Sequence, residues 1–165
     1  MNKSAHEVSA ASRQPRSRLV WLAKVFVALL VASSVGRAAM AGASGKLVVE
    51  VSGFHSNQGQ LLLRIYDHEA GFPTDGSKAL RELRQHIENG RATVTLDGLP
   101  FGSYAIGCVH DENGNGKLDT NLLGIPREGI CASRDARGRM GPPKWKDARF
   151  DFTADGAAIQ IHVAY

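Results

Sequence analysis

The segment His110-Asp111-Glu112-Asn113-Gly114-Asn115-Gly116-Lys117-Leu118-Asp119 concentrates the side chains best suited to hold a hard cation. With Asp111 as position 1, Asp111, Asn113, Asn115 and Asp119 fall at positions 1, 3, 5 and 9. Lys117, at position 7, offers its backbone carbonyl, and Gly116 stands at position 6, where a calcium loop of the EF-hand kind turns sharply. Calcium takes six to eight oxygens at about 2.3–2.6 Å, and alternate residues of a tight loop can point them inward. Leu122 replaces the bidentate glutamate of position 12, so Glu128, a carbonyl or water must supply those oxygens. The affinity expected is that of extracellular modules, about 10⁻⁴–10⁻³ M. The competing reading is a glycine-rich turn in which Asn and Asp side chains cap their own backbone.

Other candidates carry less chemistry. His110 could organise the loop or bind a transition metal, but no second histidine lies at ligand spacing, and a histidine here is expected simply to end a strand. Arg134, Arg137, Arg139, Lys144 and Lys146 form a basic stretch beside Trp145 that could touch anionic glycan or lipid, but a solvated loop is the expected explanation. There is no G-x-S-x-G, P-loop or HExxH pattern, and Ser103 and Ser133 have no evident base.

The charge distribution narrows the partners. The chain of 165 residues has a formal net charge of +4, but Lys3, Arg13, Arg16, Arg18, Lys24 and Arg37 all lie in residues 1–41, against Glu7 alone. The remaining 14 basic and 15 acidic groups nearly cancel, so a global field for nucleic acid is excluded. Those first 41 residues read as an export signal: a basic stretch to Arg18, an uninterrupted apolar core Val25–Val35, and Ala39-Met40-Ala41 as an A-x-A cleavage site. An apolar core of 11 residues spans a bilayer of about 30 Å poorly, so no stable membrane span is expected after cleavage. The expected location is periplasmic or secreted.

Export changes the reading of the two cysteines. Cys108 and Cys131 flank the loop 23 positions apart, and in an oxidising compartment such a pair is expected to form a disulfide. Two separate buried thiols are the alternative.

The elements that must position these groups are strands. After a Gly42–Gly45 spacer, Leu47, Val49 and Val51 alternate with Val48, Glu50 and Ser52, and Gln60–Tyr66 reads as the return strand. Leu80–Ile87 also fits a helical spacing, but Asn89-Gly90 suits a type I′ turn and alternating Ala92–Leu96 follows, so a hairpin is expected. Leu99–Tyr104 turns tightly into a strand at Ser103–His110. Residues 111–143 show no periodicity and hold six glycines and three prolines, as a long irregular loop would. A helical turn at Lys144–Arg149 and strands near Phe150–Thr153 and Ala158–Tyr165 close the chain. The result is a single all-β domain over 46–165, an antiparallel β-sandwich of about seven strands.

The string HDENGNGKLDTNLLGIPREG, with LDGLPFGSYAI before it and ARGRMGPPKWKDARF after it, resembles the domain-of-unknown-function 2141 family of exported bacterial proteins. The resemblance covers about Lys46–Tyr165 and implies an envelope or secreted sandwich of the prealbumin-like or Ig-like kind, with no catalytic residues to carry over. Cys108 and Cys131 depart from it, standing where an aliphatic residue and a glycine are expected.

Three functions follow. The first is a non-enzymatic envelope module whose calcium-ordered loop displays a surface for a protein or glycan partner. The second is a small metal-dependent hydrolase using Asp111, Asp119 and Glu128, and the third a purely structural turn.

Overall fold

Alternation along the strands decides which side chains meet in the core. The computed structural model describes residues 42–165, so the export segment and its cleavage after Ala41 lie outside the described residues. In β1 (Ser44–Ser52) Leu47, Val49 and Val51 are buried, and in β4 (Arg91–Pro100) Ala92, Val94 and Leu96. With β8 (Ala157–His162) these strands form a three-stranded sheet in the order β4-β1-β8. Opposite lies a five-stranded sheet, β3 (Arg81–Gln85), β2 (Gln60–Tyr66), β5 (Gly102–Asp111) and β6 (Ile130–Ala132) in that order, with β7 (Phe150–Phe152) also paired to β5. Leu61, Leu63, Ile65, Ile106, Cys108 and Phe152 face the first sheet across one core. Each large aliphatic side chain buried this way contributes about 1.5–3 kcal/mol. The arrangement is β-sandwich-like, with eight strands among the described residues where about seven were expected.

Three expectations need correction. First, the tight turns do not join partners in one sheet. Asn89 and Gly90 have φ of 53° and 71°, as a type I′ turn requires, and Glu88 and Arg91 exchange backbone hydrogen bonds across them. Yet β3 continues beside β2 and β4 beside β1, because each strand buries its apolar face against the opposite sheet. For the same reason β2 does not return along β1. Second, the sheets are not wholly antiparallel: β8 runs parallel to β1. The chain enters β8 from β7 in the other sheet, and such a crossover leaves strand direction free where a hairpin would not.

Third, residues 111–143 are not one irregular loop. β6 pairs with β5 through Gly107↔Ala132, Cys108↔Cys131 and Val109↔Ile130, and Thr120 bridges Pro126. Three residues are too few to show a period. Cys108 and Cys131 are direct partners in that ladder, with Cα atoms 4.9 Å apart, and form a disulfide. Beyond it a short helix, α1 (Trp145–Ala148), covers the outer face of the five-stranded sheet, where Ala105, Ala132 and Ala148 pack with Phe72 and Trp145. At the β4–β5 corner the Tyr104 hydroxyl donates to the Pro100 carbonyl at 2.8 Å, a tyrosine corner. Among the described residues no helix is long and apolar enough to cross a membrane.

Candidate functional site

The end of β5 carries the loop. Asp111 is fully buried there, and a buried carboxylate must be satisfied. Its Oδ1 accepts the Asn115 N–H at 3.0 Å, and its Oδ2 accepts the Gly116 N–H at 2.9 Å and the Gln60 side-chain amide at 2.8 Å. Asn113 Oδ1 then accepts the Asn115 N–H at 3.0 Å, and Asn115 Oδ1 the Lys117 N–H at 2.8 Å. Each odd position thus turns the backbone around itself. Gly116 has φ +78°, the sharp turn expected at position 6.

Wrapping brings Asp119 back onto the start of the loop. Its carboxylate accepts the side-chain amides of Asn113 at 2.6 Å and Asn115 at 3.0 Å. Those amides supply the positive dipole ends that a cation would otherwise supply as charge. Glu128, also buried, clasps both ends: Oε1 accepts the Glu112 N–H at 3.0 Å and Oε2 the Asp119 N–H at 2.9 Å. Both of its oxygens keep a lone pair beyond those bonds. Past the loop, Asn121 Oδ1 accepts the N–H groups of Leu123 and Ile125, and this turn holds Leu122 and Leu123 out in solvent, at 104% and 83% relative exposure.

A second cluster sits on the same edge. His110 is fully buried, with Nε2 2.8 Å from the Gln58 carbonyl and Nδ1 2.7 Å from the Tyr165 hydroxyl. His55, from the β1–β2 turn, stacks on the Tyr165 ring at 4.1 Å and sets its Nε2 3.3 Å from Glu112 Oε1. The same Glu112 oxygen is 3.7 Å from His110 Nδ1. Burial raises the Tyr165 phenol pKa, against the lowering effect of the His55 N–H it accepts, while the Glu112 charge raises it further. The phenol therefore stays protonated near neutrality. Gly59 allows this approach, since a Cβ there would collide with the backbone of Asp111 and Glu112.

The matched family is described as an uncharacterized protein conserved in bacteria (DUF2141), and the match runs over residues 49–160, which contain the loop, both cysteines and both histidines of the cluster. The chain belongs to the DUF2141 family. No curated protein and no solved structure matches it.

This DUF2141 domain places the expected residues unevenly. Asp111, Asn113, Asn115 and Asp119 come together, with Glu128 as the clasp. Among the described residues, His55, His110 and Glu112 bring ligand atoms within 4.8 Å of one another, a group that sequence spacing did not suggest. Ser133 has both hydrogen-bonding roles filled, accepting the Ile106 N–H and donating to the Ala148 carbonyl at 2.6 Å. Of the basic stretch, Arg134 and Lys146 line an open cavity of about 610 Å³ with Trp145, Arg149, Phe150 and Asp151. His55 was not legible as a partner of His110 because 55 residues separate them and only the sandwich joins them.

Proposed function

We propose that this chain is an exported cell-envelope binding module, not an enzyme, in which one calcium ion orders the 111–128 segment and fixes the surface beside it. One observation carries the reading: the side chains of Asp111, Asn113 and Asn115 each turn the backbone around an interior that Asp119 then closes. Asp111, Asn113, Asn115 and Asp119 would supply side-chain oxygens and Lys117 its carbonyl, with Glu128 completing the shell through its remaining lone pairs. Leu122, Leu123 and Ile125 form the exposed apolar tip that a protein partner would cover, and the Arg134–Trp145 cavity offers a glycan a stacking face with positive charge. The disulfide supports a periplasmic or secreted location. The tyrosine corner supports a sandwich of the prealbumin or Ig-like type.

Calcium should raise the melting temperature. A ligand that binds only the folded state stabilises by RT ln(1 + [L]/Kd), about 1.4 kcal/mol for a Kd of about 10⁻⁴ M at about 1 mM calcium. That corresponds to about 3–6 °C. Asp119→Ala should abolish the shift and also lower the melting temperature in chelator, because Asp119 accepts the side-chain amides of Asn113 and Asn115. If calcium leaves the melting temperature of the wild type unchanged, or shifts Asp119→Ala as much as the wild type, the segment is a structural turn and the proposal fails.

A further inference from the structure

The tautomer of His110 can be assigned from its neighbours. The Gln58 carbonyl oxygen can only accept, so His110 Nε2 carries the proton and, in the neutral ring, Nδ1 presents a lone pair. The ring cannot turn away, because it is buried and packed edge-on against Phe54 at 5.1 Å. A ligating imidazole that donates its other N–H to a backbone carbonyl is the arrangement by which proteins fix metal-binding histidines. The lone pair faces the Tyr165 hydroxyl, with Glu112 Oε1 3.7 Å away and His55 beside them.

We propose that His110 Nδ1, His55 Nε2 and Glu112 Oε1 bind a divalent transition-metal ion of the zinc class, with ligand atoms distinct from the calcium set although Glu112 stands at position 2 of the same loop. These three atoms lie within 4.8 Å of one another, and two of the pairs are at 3.3 and 3.7 Å. Tetrahedral zinc with ligands at about 2.0–2.1 Å holds them about 3.3–3.4 Å apart, so both Glu112 pairs are near that spacing and the two imidazoles must close toward each other. His55 can supply that movement, because its side chain is half exposed and stacks on Tyr165, whose ring is exposed too. The set of two imidazoles and one carboxylate excludes calcium and magnesium, which prefer oxygen alone, and suits zinc. The Tyr165 hydroxyl now donates to Nδ1 and must give up that bond to the metal; its side chain, 59% exposed, can swing aside. The fourth position is then open to water or to a donor from a partner.

The site is independent of the calcium proposal, and the test separates them. Full chain prepared without a histidine tag is titrated with zinc against a chromophoric chelator, and with cobalt to read tetrahedral coordination from its visible absorption. Wild type should bind one zinc, and cobalt should give intense tetrahedral bands. His55→Gln and Glu112→Gln should each weaken zinc by at least the about 10–100-fold that loss of a supporting partner costs at metal sites. Both changes are at solvent-accessible side chains, so the fold is retained, as a melting curve would verify. Asp119→Ala should leave zinc binding intact. Absence of zinc binding in wild type, or equal binding in His55→Gln and Glu112→Gln, overturns the proposal.

Discussion

Replacing Cys131 by Ser should lower the stability of the domain by about 3 kcal/mol in a urea titration under non-reducing conditions. The bridge closes a loop with a sequence separation of 23 residues, and the chain-entropy relation gives about 3 kcal/mol for a loop of that size. Two features of the fold hold the effect near that figure. β6 is only three residues long, so little else fastens it to β5, and Cys108 is buried in the core, where a leftover thiol still packs well. Cys108→Ser should cost more, since it also leaves a hydroxyl in apolar surroundings. A loss below about 1 kcal/mol for Cys131→Ser would show that the strand pair holds without the bridge. The 111–119 loop lies inside the closed segment, so, if the proposed calcium site is right, Cys131→Ser should also bind calcium less tightly.

Glu128→Ala should cost about 2–4 kcal/mol, measured in the same way. The Glu128 carboxylate accepts two backbone N–H groups, those of Glu112 and Asp119, and is itself buried. Hydrogen bonds to a charged acceptor are worth about 1.5–3 kcal/mol each, and a donor left buried without a partner adds its own desolvation cost. Water entering the truncated site offsets part of this. Glu128→Gln keeps one acceptor oxygen and turns an NH₂ toward the other donor, so it should fall between wild type and Glu128→Ala. Equal stability of all three proteins would mean that the clasp does not hold the loop.

The strands were readable because a two-residue period reports burial directly: Leu47, Val49 and Val51 are all in the core, as their alternation requires. Asn89-Gly90 announced its turn through the positive φ angles that those residues tolerate. Which strands share a sheet was not readable, because a tight turn fixes local geometry and not the layer each strand joins. β6 escaped notice for its brevity, and the parallel β1–β8 pair because a sheet-to-sheet crossover has no local signal. In the site, the odd-position spacing from Asp111 to Asp119 was visible. Glu128 was legible as an oxygen donor but not as a clasp, since its hydrogen bonds go to backbone groups that every sequence possesses. His55 lies far from His110 in the chain and meets it only through the folded edge of the sandwich.

Calorimetric titration of chelator-stripped protein with calcium tests the central claim most directly. The account predicts one saturable site with a Kd of about 10⁻⁴–10⁻³ M, weaker binding of magnesium, which demands a tighter octahedral shell, and no binding to Asp119→Ala. An absence of saturable heat in wild type, or a titration unchanged in Asp119→Ala, would contradict it.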